Sequence, residues 1–175
     1  ILTPNGYKSR NPTVLARIGP DELEKCLRGR GWNPYFVEGD DPEKMHPLMA
    51  TTLETAIENI RDIQQNARAH GDNTRPRWPM IVLKSPKGWT GPKVVDGLQI
   101  EGTFRAHQVP ILVDSEHPDH VALLESWMKS YKAEELFYGN GRPRPDLAEL
   151  PPQGALRRGR APPAPQGALL RAPRH

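Results

Sequence analysis

Lys87 stands just after an apolar run, Met80 to Lys84, and leads into Lys87-Gly88-Trp89-Thr90-Gly91-Pro92. An ammonium followed by two nearby glycines can meet a phosphate: the amine offers counter-charge and the glycines allow close backbone approach. On these residues alone the plainer account is a solvated lysine in a Gly-rich turn. The Walker lysine–hydroxyl ending is absent, which argues against a nucleotide phosphate loop. His107, within Gly102-Thr103-Phe104-Arg105-Ala106-His107-Gln108-Val109-Pro110, can shuttle protons near neutrality or donate a hydrogen bond to phosphate. Its plainer account is a structural loop histidine. Asn5-Gly6-Tyr7 can offer a side-chain amide and a backbone carbonyl to magnesium, a hard cation that takes oxygen ligands. Its plainer account is a simple turn. His46, His70, His117 and His120 show no metal-ligand pairing. His117 and His120 sit beside Asp119 at a helix start and read as capping residues. Cys26 lies in a helical pattern and reads as a small helix residue.

These residues need a frame. Ile1 to Asn5 reads as the end of a strand running into a turn. Gly19-Pro20-Asp21-Glu22 starts a helix through Leu23, Cys26 and Leu27, which ends at Gly29 to Gly31. Tyr35-Phe36-Val37 is a short buried strand. Asp40 or Asp41 caps the next helix, with Pro42 at its first position. In that helix Met45, Leu48, Met49, Leu53, Ala56, Ile57, Ile60 and Ile63 recur three or four residues apart. Pro47 is expected to shift its start or kink it. Met80 to Lys84 is a second buried strand. Val94 to Gly102 reads as a small excursion around Asp96-Gly97, and Phe104 to Leu112 as loop or irregular strand. Pro118 to Tyr131 reads as an amphipathic helix, with a shorter one at Pro145 to Leu150. This order predicts an α/β domain with a mostly parallel sheet and flanking helices. Ligands of such sheets bind beyond the carboxyl ends of the strands, where Asn5, Lys87 and Gly39 to Asp41 fall.

Residues 151–175 differ in kind. They hold Arg157, Arg158, Arg160, Arg171 and Arg174, no acid, and Pro-Gln-Gly-Ala-Leu twice, at 152–156 and 165–169. Such a segment cannot bury a core, so an unstructured or aberrant tail is expected. It accounts for the whole positive excess of the chain, whose net charge is +3. The basic balance therefore describes the tail and not a folded nucleic-acid-binding face. No apolar run approaches the ~20 residues that span a bilayer. A single cysteine precludes an internal disulfide and fits a reducing, cytoplasmic setting. The missing initiator Met and the strand-like Ile1-Leu2 predict an internal fragment.

Taken together the stretches resemble phosphoketolases. Asn5-Gly-Tyr-Lys, Asn11-Pro-Thr-Val-Leu-Ala-Arg, Phe36-Val-Glu-Gly-Asp-Asp-Pro, Arg77-Trp-Pro-Met-Ile-Val-Leu, Lys87-Gly-Trp-Thr-Gly-Pro-Lys and Glu101-Gly-Thr-Phe-Arg-Ala-His-Gln-Val-Pro occur in that order in the family. The resemblance covers Asn5 to about Leu150, with the tail outside it; Thr3-Pro4 and Ser9-Arg10 depart from the family pattern. It implies residues 1–150 as part of a transketolase-like thiamine diphosphate-binding domain, with thiamine diphosphate and Mg2+ as cofactors. Asn5 and Tyr7 match two magnesium ligands near the cofactor. Lys87 matches a lysine near the diphosphate, and His107 an active-site histidine near the reacting carbon. The family's magnesium-binding Asp would precede Ile1, and its activating glutamate belongs to a later domain of the other subunit.

The activity so implied is cleavage of xylulose 5-phosphate, fructose 6-phosphate or both with inorganic phosphate to acetyl phosphate and an aldose phosphate. The implied full-length enzyme is a homodimer with neither nucleic-acid nor membrane partners, and the isolated chain is expected to be inactive. Two rivals stand beside this reading: another transketolase-like thiamine enzyme, or a non-catalytic truncated scaffold. An intact upstream Gly-Asp-Gly motif would favour the enzyme over the scaffold.

Overall fold

The computed structural model describes residues 1–151. Leu2 makes a parallel bridge to Val82, closed by its N–H to the Ile81 carbonyl and by the Leu83 N–H to its own carbonyl, each 2.8 Å. The strand end expected at Ile1 to Asn5 is thus one bridged residue. A two-residue antiparallel hairpin follows, β1 (Tyr7–Lys8) against β2 (Asn11–Pro12).

Helix α1 (Pro20–Gly29) carries Asp21 and Glu22 in its first turn, where acids meet the positive end of the helix dipole. Leu23 and Leu27 are its buried residues, four apart on one face. β3 (Trp32–Glu38) leads to α2 (Pro42–Ala69). The Asp41 carboxylate caps α2, accepting from the Glu43 N–H at 3.1 Å. Pro47 lies inside α2 and does not move its start. The N–H it lacks would have paired with the carbonyl of Glu43, in the first turn, so only one bond is forfeited.

β4 (Trp78–Lys84) pairs in parallel with β3, from Trp32 opposite Trp78 to Glu38 opposite Lys84. Adjacent side chains of a strand point to opposite faces, and both faces are covered. Val82 packs with Leu23 and Leu27 of α1; its neighbour Ile81 packs with Val37 and with Met45 and Ala56 of α2. Val37 and Val82 are fully buried, a burial that stabilises by roughly 1.5–3 kcal/mol per side chain.

The expectation of a mostly parallel sheet is corrected here. The described residues hold one parallel pair with the Leu2 bridge, and the other named strands are two short antiparallel hairpins. The second hairpin, β5 (Val94–Val95) with β6 (Leu98–Gln99), turns at Asp96 and Gly97. Both take positive φ, 51° and 72°, as a tight mirror-image turn requires. Phe104–His107 is a short 3₁₀ helix where loop or irregular strand was expected. The Thr103 hydroxyl starts it by accepting from the Arg105 N–H at 3.2 Å. α3 (Asp119–Ser130) follows.

The chain divides into two compact units, Ile1–Leu124 and the part from Glu125 onward. The second holds the end of α3, α4 (Ala133–Leu136) and α5 (Pro145–Glu149), with the Arg144 guanidinium over the Tyr138 ring. The expected tail, from residue 152 onward, lies outside the described residues. No helix among the described residues is long and apolar enough to cross a membrane.

Candidate functional site

The chain leaves β4 at Lys84 and reaches Lys87 through Ser85 and Pro86. Two successive turns then fold the Gly-rich stretch: the Trp89 N–H donates to the Pro86 carbonyl and the Gly91 N–H to the Gly88 carbonyl. Trp89 anchors this loop. Its ring packs on the α2 side of the core, and its Nε1–H donates to the Asp40 carbonyl at 2.7 Å. The loop meets the segment bearing His107 at two points. The Gly102 N–H donates to the Lys87 carbonyl at 2.8 Å. Gly88, at φ 75°, lies so close to Ala106 that a Cβ there would stand 2.6 Å from the alanine's own Cβ.

On the other side stands the turn before β1. The Asn5 side-chain oxygen accepts from the Tyr7 N–H at 3.4 Å, and the Gly6 carbonyl accepts from the Thr13 N–H at 3.0 Å. The simple-turn account of Asn5-Gly6-Tyr7 is thus part of the structure. Lys87 reaches across to this turn, its Nζ donating to the Tyr7 carbonyl at 3.4 Å. Asn5, Tyr7, Lys87 and His107 line a single cavity of about 430 Å3, together with Lys8 and Thr13. A second cavity, about 310 Å3, opens at the carboxyl ends of β3 and β4 beside Gly39, Asp40 and the Glu38–Lys84 ion pair.

Lys87 is only 9% exposed. Among the described residues it has no carboxylate partner, and one long bond to a carbonyl compensates its charge poorly. Lys8 adds a second cation, and no carboxylate is among the described lining residues. A polyanion fits such a cavity. A bare divalent cation does not: Asn5 and Tyr7 supply two neutral oxygens, and the Tyr7 carbonyl already faces an ammonium. Magnesium fits only in company with phosphate oxygens and further ligands. His107, at the end of its 3₁₀ helix, is exposed at the cavity's edge.

Sequence reading passed over Lys8 and Thr13, and it misjudged His120. Helix capping is not its role. His120 is buried, with one ring nitrogen 2.9 Å from the Leu112 carbonyl and the other 2.9 Å from Asp96 Oδ1. The local turn is held instead by Asp114, whose carboxylate accepts from the N–H groups of Glu116 and His117, each 3.0 Å. Only the spacing His117-Pro-Asp-His120 hinted at a pair, and nothing local told which ring would be buried.

The model of the XFP N-terminal domain matches residues 1–169, past Leu150, where the sequence resemblance was expected to end. A probable phosphoketolase of Rhodopirellula baltica is 57% identical over 98% of this chain and 22% of its own length. One of Clostridium acetobutylicum is 61% identical over 90% of the chain and 20% of its length. Probable phosphoketolase 2 of a Nostoc species is 55% identical over 98% of the chain. The chain thus spans about a fifth of the length of these curated relatives.

Proposed function

This chain belongs to the phosphoketolase family, and from that premise we propose that its cavity is the part of a phosphoketolase active site that grips the diphosphate of thiamine diphosphate. The parent enzyme cleaves xylulose 5-phosphate, fructose 6-phosphate or both with inorganic phosphate, giving acetyl phosphate and an aldose phosphate. The observation that carries this reading is the buried, poorly compensated ammonium of Lys87 facing a cavity without described carboxylates.

Each residue then has a task. Lys87 offsets anionic charge at the site, from a position that its burial makes electrostatically strong. The Asn5 amide oxygen and the Tyr7 carbonyl would be the residues of this chain that help hold a magnesium ion, which would supply counter-charge to phosphate oxygens. With the Tyr7 carbonyl so engaged, the Lys87 ammonium that now donates to it would be available to an anion. His107 is free to meet substrate from the cavity's edge, donating hydrogen bonds or moving protons at the ketose carbonyl and the departing hydroxyl. Thiamine diphosphate, when bound, supplies the carbanion chemistry, and the protein supplies orientation and electrostatics. The chain by itself is inactive, because the activating glutamate and a magnesium-binding carboxylate come from elsewhere in the dimeric enzyme.

Replacing the matching segment of the Rhodopirellula baltica relative by this chain tests the reading. The hybrid should form acetyl phosphate from at least one of the two sugar phosphates, and the chain alone from neither. A folded, dimeric hybrid that binds no thiamine diphosphate would sink the proposal and leave the non-catalytic scaffold in its place.

A further inference from the structure

His120 is 3% exposed, in the first turn of α3. Its Nδ1 is 2.9 Å from the carbonyl oxygen of Leu112 and its Nε2 2.9 Å from Oδ1 of Asp96. Neither a carbonyl nor an ionised carboxylate has a proton to give. Both ring nitrogens must therefore donate, which only the imidazolium form can do. We propose that His120 is a positioning residue: a buried cation that pins Asp96 and Leu112 together and so closes the loop that carries His107.

The two pinned residues bracket the stretch 96–112. Inside it the backbone reaches the Lys87 carbonyl from Gly102, and Phe104–His107 forms its 3₁₀ turn. Within it Ile100 and Ile111 are the buried apolar residues, and the side-chain bonds of Gln99 and Thr103 reach only neighbours two to four residues away, so none of them ties the two ends together. A tie across its base therefore controls how far the His107 end can drift. The charged surroundings suit a cation. Asp96 comes from the turn of the β5–β6 hairpin and Asp119 from the start of α3. His117 stacks on the ring at 4.9 Å between centroids, with its own Nδ1 on Asp114 at 2.8 Å. The Asp96 bond, then the Leu112 carbonyl, raise the His120 pKa above its ordinary value, against the cost of burial. When the ring loses a proton, one nitrogen lone pair faces an oxygen lone pair, and that tie opens. An ion held by Asp96, Asp119 and His120, whose ligand atoms lie within 4.8 Å of one another, would instead need a bare Nε2.

The clamp stands on geometry alone; only its catalytic consequence rests on the role proposed for His107. The test uses 15N-histidine NMR and amide hydrogen exchange on the full 175-residue chain. At neutral pH both His120 nitrogens should carry protons, and the ring should titrate above its ordinary range. Asp96→Asn should lower that titration and speed exchange of the amides between residues 100 and 108 by roughly tenfold, with β3 and β4 unchanged. His120→Gln should speed the same amides. If His120→Gln fails to fold, Asp96→Asn decides, since its side chain is half exposed and keeps its shape. A neutral His120 near pH 7, an Nε2 that zinc or manganese takes over in the wild-type chain, or unchanged exchange in folded Asp96→Asn would each overturn the proposal. A hybrid enzyme that is inactive while these signatures hold would count against the proposed function and not against the clamp.

Discussion

Gly88 and Ala106 touch so closely that a methyl group on the first would lie 2.6 Å from the Cβ of the second. The turn bearing Lys87 and the short helix bearing His107 can therefore meet only because residue 88 is glycine. Its φ of 75° is a second reason, since side chains other than glycine are strained there. Gly88→Ala should destabilise the chain by about 1–3 kcal/mol in denaturant unfolding. Gly71→Ala is the control: its φ is also positive, 66°, but open space surrounds it. The excess of the first over the second measures the Ala106 contact, and Ala106→Gly should recover part of it.

Lys87→Met keeps the aliphatic stem and removes the charge. Stability should change by less than about 1 kcal/mol or rise, because a poorly compensated buried ammonium is a cost to the fold. In the active hybrid, turnover should stay low even at saturating thiamine diphosphate. Full recovery with excess cofactor would mean that Lys87 touches only the diphosphate.

His107→Ala should behave in the opposite sense to a core substitution. The ring is exposed, so stability should stay within about 0.5 kcal/mol. Turnover of the hybrid should fall roughly a hundredfold or more, the lower end for acid–base groups. Near-normal turnover would remove His107 from the site.

Acid and alkali should weaken the fold for different reasons. Asp114 is held below its ordinary value of 3.8, first by His117; Asp72 by the Thr74 hydroxyl; Asp41 by the Lys44 ammonium. Each contributes stability above about pH 4 that is lost as pH falls through its lower folded value. His120 is raised above 6.5, so its contribution is full below that and lost as pH climbs through the higher folded value. Denaturant midpoints should therefore peak between these limits, falling as pH drops below 3.8 and as it climbs above 6.5. Asp114→Asn should flatten the acid limb and Asp96→Asn the alkaline one.

Much of the frame was legible from local rules. Pro20 with its acids, Asp41-Pro42 and the three-or-four spacing from Met45 to Ile63 mark α1 and α2, because capping and face periodicity are written within a few residues. Met80 to Lys84 is readable as a buried strand since both of its faces are apolar. Asp96-Gly97 shows its turn because few other residues accept positive φ twice running.

The sequence by itself determined the family, the order of α1, β3, α2, β4 and α3, and which residue types could meet a phosphate. Only the tertiary structure decided that Lys87 is buried beside Tyr7, that Gly88 makes room for Ala106, and that His120, not His117, lies inside between Asp96 and Leu112. Local propensity acts over one or two turns of chain, whereas these contacts join residues far apart in sequence. Their charge, burial and spacing are set by which surfaces the folded chain brings together, and no short stretch of sequence carries that information.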